Sequence, residues 1–221
     1  MLVFLADLLS ITRVFSKCNK KLIKYFTYYF LGVILHLLGE IKMLLVNKDN
    51  LFNEDMLNGF TMVDYENYNE DTLYMEYETF RHFEMLKAHL RVEGIIIDCD
   101  SAYRSLEKQE NIFLEFMNKY GIEYAEKTVA MPGTSEHHTG QALDLVLCID
   151  GIWIEENVEL MKCEDIFKKI HSQLKYFGFI LRYPKDKEDI TGYPYEPWHI
   201  RYIGEGKAME IGDLTLEEYL K

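Results

Sequence analysis

The chain has 221 residues, 48% of them hydrophobic, and a formal net charge of −13 at pH 7. That length and apolar content suffice to bury one good core, which bounds the chain to a single catalytic-sized domain. So acidic a protein repels a phosphate backbone, which excludes nucleic acid as a partner; no internal repeat or low-complexity tract is present, and composition leaves the oligomeric state open.

Residues 1–42 stand apart. Arg13, Lys17, Lys20, Lys21, Lys24 and Lys42 against Asp7 and Glu40 give them a net charge of +4, leaving −17 on residues 43–221. The basic cluster precedes an apolar run from Tyr25 to Leu38, extendable to Leu22 where Lys24 snorkels, which is the charge pattern of a cytoplasmic flank before a membrane anchor. As a helix the extended run spans about 25 Å against a hydrocarbon core of about 30 Å, and it contains His36. Three readings stay open for this segment: an uncleaved anchor that holds the rest of the chain outside the cytoplasm, a poorly cleaved signal peptide, or a misplaced start ahead of a domain that begins at Met43.

From Met43 onward the pattern is mixed. The acidic and aromatic stretch Asp64 to Tyr77 predicts a covering loop or short hairpin. Phe80, Phe83, Leu86 and Leu90 recur at helical spacing until Gly94, and Ile95 to Asp100 reads as a buried strand. Ser105 then caps a helix whose apolar positions are Ile112, Phe113, Phe116, Met117 and Tyr120, ended by Gly121. Arg104 falls at that strand-to-helix junction, with Gln109 about a turn and a half further on. A guanidinium there can hold a carboxylate or stabilise an oxyanion, although a surface arginine in an acidic domain would look the same.

Ala142 to Ile149 is a compact apolar strand containing one acid, Asp144, and it is preceded by Ser135-Glu136-His137-His138-Thr139-Gly140. Small residues at Gly140 and Ala142 are expected to let backbone pass close to a metal. Ile166, Phe167, Ile170, Leu174 and Phe177 mark another core helix ended by Gly178, followed by strands at Phe179 to Tyr183 and Trp198 to Ile203. Helices followed by strands gathered around the polar motifs predict an α+β fold, in which a small antiparallel sheet carries the site and helices cover it. Cys18, Cys99, Cys148 and Cys163 show no metal-binding or C-x-x-C spacing; Cys99 and Cys148 read as small buried hydrophobes.

Taken singly, His137 and His138 could be loop histidines, Asp144 a strand cap and His199 a core histidine. Together they make a zinc site. His137, Asp144 and His199 supply two imidazoles and a carboxylate, the three-ligand set that leaves a fourth tetrahedral position for water, and zinc lowers the pKa of such a water to about 7. His137 is preferred to His138 because it stands three residues before Gly140 and seven before Asp144; His138 is the fallback. Glu196, three residues before His199, is a spare acid placed to take a proton. The helical H-E-x-x-H arrangement is excluded by Pro197, which pushes Glu196 into extended backbone, so Glu196 and His199 come from a loop and a strand. Along that strand His199 and Arg201 share one face, and Trp198, Ile200 and Tyr202 the other.

The strings SAYRSLEKQ, PGTSEHHTGQALDL and GFILRYPKDKEDITGYPYEPWHIRYIG resemble the zinc D-alanyl-D-alanine carboxypeptidases of the VanY type, within the wider group of hedgehog-like and lysostaphin-like metallopeptidases. The resemblance covers Met43 to Lys221 and rests on S-x-H-x-x-G-x-A-x-D followed by E-x-W-H. It implies zinc bound by His137, Asp144 and His199, Glu196 as catalytic base, and substrate contacts from Arg104, Gln109 and Ser135. His138 departs from it, since related sequences often carry Gln there. The implied reaction is removal of the terminal D-alanine from peptidoglycan stem peptides. L,D-carboxypeptidase or D,D-dipeptidase action at the same site is the near alternative, and a non-catalytic zinc-containing wall-binding module the distant one.

Overall fold

A computed structural model describes residues 43–221; the predicted anchor, signal or misplaced start lies outside the described residues. A hairpin comes first, β1 (Met62–Glu66) pairing antiparallel with β2 (Thr72–Glu76). Helix α1 (Tyr77–Val92) follows directly, its first turn capped by the Glu76 carboxylate, which accepts from Thr79 N at 2.9 Å. Then come β3 (Ile96–Ser101), α2 (Leu106–Tyr120), α3 (Ile122–Thr128) and a 3₁₀ turn over Glu136–Thr139. The second half holds β4 (Ala142–Ile149), β5 (Ile152–Ile154), α4 (Asn157–Leu160), α5 (Glu164–Leu174), β6 (Phe179–Leu181), α6 (Glu188–Thr191), β7 (His199–Tyr202), α7 (Glu205–Ile211) and α8 (Leu216–Tyr219).

Five strands form one antiparallel sheet in the order β3-β4-β7-β6, with β5 paired to the far end of β4. The longest strand, β4, is central: β3 runs along one side, while β7 pairs with Ala142 to Asp144 on the other. Its apolar residues explain that position, because Leu143, Leu145, Val146 and Leu147 are all buried, as a strand covered on both faces requires. The predicted stripe of α1 is core, with Phe80, Phe83, Leu86 and Leu90 buried, and so are Phe167, Ile170 and Leu174 of α5. A small cluster of Ile203, Ala208, Ile211 and Leu216 packs α7 and α8 against Met43, Leu45 and Ile180. Among the described residues no helix is long and apolar enough to cross a membrane.

Several expectations shift in detail. The hairpin is as predicted. The strand expected to run to Tyr183 ends at Leu181; Pro184 has no N–H to continue a ladder. Helix α2 forms with Ser105 as its cap, accepting from Lys108 N at 3.1 Å, but its stripe is not core: Gln109 is its only buried residue, and Ile112 and Phe116 line a cleft instead. Cys99 is buried and Cys148 partly so.

Gly140 needs a different explanation from proximity to a metal. It sits in the left-handed region at φ 69°, and a Cβ there would lie 2.7 Å from Met62 Cε and 3.1 Å from Glu76 N. The glycine lets the turn press against the start of α1, where Gly140 O accepts from Glu76 N at 2.9 Å. Gly140→Ala should therefore cost about 2 kcal/mol or more, from left-handed backbone strain plus overpacking. Denaturant unfolding would measure this, and a loss below about 0.5 kcal/mol would show that the turn readily relaxes.

Candidate metal centre

In the β4–β7 ladder Asp144 is directly opposite His199. Opposed residues share one face of a sheet, so register alone brings together a carboxylate and an imidazole far apart in sequence. His199 Nδ1 lies 3.0 Å from Asp144 Oδ1. From the 3₁₀ turn, His137 Nε2 lies 3.1 Å from Asp144 Oδ2, while its Nδ1 is 2.6 Å from the carbonyl oxygen of Ala102. That carbonyl takes the Nδ1 proton and leaves the Nε2 lone pair facing Asp144. The two rings stand edge to face, their centroids 5.0 Å apart.

One ligand atom from each of His137, Asp144 and His199 falls within 4.8 Å of the others. Zinc bonded at about 2.0–2.2 Å to tetrahedral ligands sets its donors about 3.4 Å apart, so this set and spacing fit the ion. The fallback His138 does not belong to it. Its Nδ1–H donates to Arg104 O at 2.7 Å and its Nε2 accepts from Gly133 N at 3.1 Å, so both nitrogens serve to tie two loops together.

Glu196 is in a loop, as Pro197 requires, with Oε2 3.7 Å from His199 Nδ1. Backbone bonds hold that loop at both ends: Glu196 N donates to Tyr183 O and His199 N to Glu196 O, each at 3.2 Å. Arg104 extends from the β3–α2 junction. Its Nη2 meets Asp144 Oδ2 at 2.6 Å, its Nε donates to Ser101 Oγ at 2.7 Å, and its Nη1 is 3.5 Å from Gln109 Oε1. A register shift in β3 between Cys99 and Ser101 aims this corner at the site. Gln109 is fully buried, and its amide donates to Ala130 O at 2.8 Å. Gln109, expected to touch substrate, lines the cleft and also supports Arg104 and the loop at Ala130. Ser135, 4% exposed, joins these residues along a cleft of about 520 Å³ whose walls include Ile112, Phe116, Tyr183, Tyr193 and Trp198.

Sequence reasoning passed over Glu136, Arg182 and Tyr183. Glu136 is fully enclosed, with Arg182 Nε at 2.8 Å and Arg201 Nη1 at 3.1 Å from its Oε1. The Tyr183 ring lies 4.7 Å from that of His199. Arg201 does share the His199 face of β7, but it meets Glu136 instead of the cleft. A glutamate wedged between two motif residues, with one arginine in β7 and another just past the end of β6, was the available signal.

The ionisable groups are driven apart. Burial alone would raise Asp144, yet His137, His199 and Arg104 hold it well below the usual carboxylate range. Burial and then Arg104 push His137 down to about 4. His199 moves the other way, to about 9, because its contacts with Asp144 and Glu136 outweigh burial. Burial raises Glu196 to about 7. At pH 7 the metal-free protein therefore carries a proton on His199 and none on His137. Zinc loading should release about one proton from the ligands, and affinity should weaken about tenfold per pH unit as pH falls from 9. Calorimetric titration in buffers of different ionisation enthalpy counts that proton; finding none would contradict the protonated His199.

A sequence profile described as VanY, D-alanyl-D-alanine carboxypeptidase, matches residues 72–205. The chain is 43% identical over 131 residues to the putative carboxypeptidase YodJ of Bacillus subtilis (strain 168), covering 58% of this chain and 47% of that one. It thus spans about half the length of the Bacillus relative. To VanXYC of Enterococcus gallinarum, a bifunctional D-Ala-D-Ala dipeptidase and D-Ala-D-Ala carboxypeptidase, it is 33% identical over 161 residues, covering 69% of this chain and 80% of that protein. Among solved structures, a mutant of the vancomycin-resistance D,D-pentapeptidase VanY in complex with Zn(II) is similar with a TM-score of 0.67 at 32% identity, covering 82% of this chain and 100% of that one. The profile takes in everything from β2 through β7, including Arg104, His137, Asp144, Glu196 and His199, and by that match the chain belongs to the VanY family of D-alanyl-D-alanine carboxypeptidases.

Proposed function

We propose that the chain is a zinc-dependent D-alanyl-D-alanine carboxypeptidase that hydrolyses the terminal D-alanine from peptidoglycan stem peptides. The observation that carries this reading is the convergence of His137, Asp144 and His199 beside an uncommitted carboxylate, Glu196, in a cleft large enough for a short peptide. The names of the relatives support the same substrate class.

His137, Asp144 and His199 would hold the ion. Zinc bound there supplies Lewis acidity, which makes water nucleophilic at neutral pH and polarises a carbonyl. Glu196 accepts the proton of the attacking water as its oxygen bonds to the penultimate carbonyl carbon, then returns it to the nitrogen of the departing D-alanine as the C–N bond breaks. Arg104, braced by Ser101 and Gln109, offers its guanidinium to the substrate's terminal carboxylate or to the developing oxyanion. Ser135 and the aromatic walls shape the pocket. Such a polymer lies outside the cytoplasm, so we place the catalytic domain there, with the basic and apolar segment 1–42 as its candidate membrane anchor.

Incubation with defined tri-, tetra- and pentapeptide stems, followed by mass spectrometry, tests the reading. Free D-alanine from the pentapeptide that disappears with chelator is expected. Dipeptide release, or cleavage of the tetrapeptide alone, would reassign the bond cut, and no cleavage of any stem would remove the enzymatic reading. Glu196→Gln should keep zinc bound while lowering kcat by about 10²- to 10⁴-fold. Because Glu196 must be ionised to accept a proton, kcat/KM should rise with pH along a limb centred at or below 7, since a cation alongside lowers its pKa. A stopped assay across pH 5–8 reads that limb; a flat profile would remove Glu196 from the role of base.

A further inference from the structure

Beside His199, at the edge of the cleft, lies a buried chain of four charges that the proposed reaction does not use. Glu136 Oε1 accepts a hydrogen bond from Arg182 Nε at 2.8 Å and forms an ion pair with Arg201 Nη1 at 3.1 Å. The remaining nitrogens of Arg182 bond to Glu217 of α8, Nη1 to Oε2 at 2.9 Å and Nη2 to Oε1 at 2.5 Å. Arg201 Nη2 donates to Leu44 O and to Gln141 Oε1, each at 2.8 Å. Two carboxylates and two guanidiniums balance, as buried charge must. Both arginine contacts to Glu136 fall on one oxygen. The other, Oε2, has no hydrogen-bond partner among the described residues, and neither has His199 Nε2; these two buried atoms face each other at 3.7 Å.

We propose that Glu136 is a positioning residue: clamped by Arg182 and Arg201, it commits the His199 ring to carry its proton on Nε2 and to present Nδ1 to the metal. The inference rests on the ligand set proposed above. An imidazole can ligate through either nitrogen, and the partner of the other nitrogen decides which. The two histidines here are set in opposite senses by different acceptors. A backbone carbonyl holds Nδ1 of His137 and frees Nε2, whereas a carboxylate faces Nε2 of His199 and frees Nδ1. Arg182 N donates to His199 O at 3.2 Å, so the clamp and the ligand sit on adjoining backbone. Through Glu217, the C-terminal helix α8 becomes part of the scaffold of the metal centre.

Glu136→Gln tests this sharply. Two guanidiniums demand an oxygen at the Oε1 position, so the amide must turn its NH₂ toward His199 Nε2. A donor there favours the tautomer with the proton on Nδ1, which blocks that nitrogen as a ligand. Zinc affinity, read by competition with a chromogenic chelator at a temperature where circular dichroism shows the metal-free variant folded, should fall by about 10- to 100-fold. Asp98→Asn, which disturbs the separate buried cluster of Tyr65, Lys87 and Asp98, should lower stability and leave zinc affinity unchanged. Equal zinc affinity in Glu136→Gln and the unaltered protein would overturn the proposal. Should Glu136→Gln not fold, the unaltered zinc-loaded protein still decides: long-range ¹H–¹⁵N correlation of its histidines should show His199 protonated at Nε2 and coordinated at Nδ1, and coordination at Nε2 would overturn it. Failure of the unaltered protein to bind zinc would instead sink the ligand set itself.

Discussion

One carboxylate organises this molecule. Asp144 stands in the central strand of the sheet, between two imidazoles and a guanidinium, and each of its oxygens faces a different histidine. An ionised carboxylate in such a place is tolerable only when fully surrounded by positive or donating groups. The chain meets that demand with residues from three separate stretches: the β3–α2 junction, the 3₁₀ turn before β4, and the first residue of β7. Those same residues form the candidate metal centre, so the constraint that lets β4 fold and the arrangement that suits a metal are one constraint.

The sheet delivers this by register. Pairing of Asp144 with His199 and of Ala142 with Arg201 puts the ligand and the buried arginine on the same face of β7, two residues apart. A slip of one residue would turn His199 to the opposite face and bring Ile200 against Asp144, so the burial of Ile200 and Tyr202 on the other side protects the site's geometry. Helix α2 has a different task. With Gln109 as its only buried side chain, it is held through Ser105, through Gln109 and by packing along α3, and Ile112 and Phe116 of its apolar stripe line the cleft.

The candidate metal group and the loop position of Glu196 were legible in the sequence because their spacing is bound to local geometry: Pro197 fixed Glu196 in a loop, and alternation placed His199 and Arg201 on one face. The α+β fold and the first helix followed from periodicity, and the hairpin from the acidic and aromatic composition of Asp64 to Tyr77. Glu136 was not legible, since a glutamate two residues from an exposed-looking turn resembles surface, and only the three-dimensional meeting of Arg182 with Arg201 makes its burial affordable. Gly140 was read as making room for a metal, whereas it makes room for Met62 and the start of α1, a contact with a segment more than sixty residues earlier in the chain. Gln109 shows the same limit. Its motif position implied a substrate contact, whereas its hydrogen bond to the loop at Ala130 is a feature that no spacing rule reveals.

Three carboxyl groups crowd the centre, and their neighbours give them different chemistry. Glu136 has two guanidiniums within 3.1 Å, and these, against the upward push of burial, hold it far below the ordinary range. Asp144 has Arg104 and both imidazoles, and it too stays ionised. Glu196 is more loosely partnered: burial dominates over His199, whose nearest nitrogen is 3.7 Å away, and over Arg104, and its pKa climbs to about 7. Two of the three are thereby held as anions at neutral pH. Only the third can gain and lose a proton near neutral pH, and its side chain, 20% exposed, lines the cleft. Proton transfer is assigned to Glu196 by what surrounds the other two as much as by its own position.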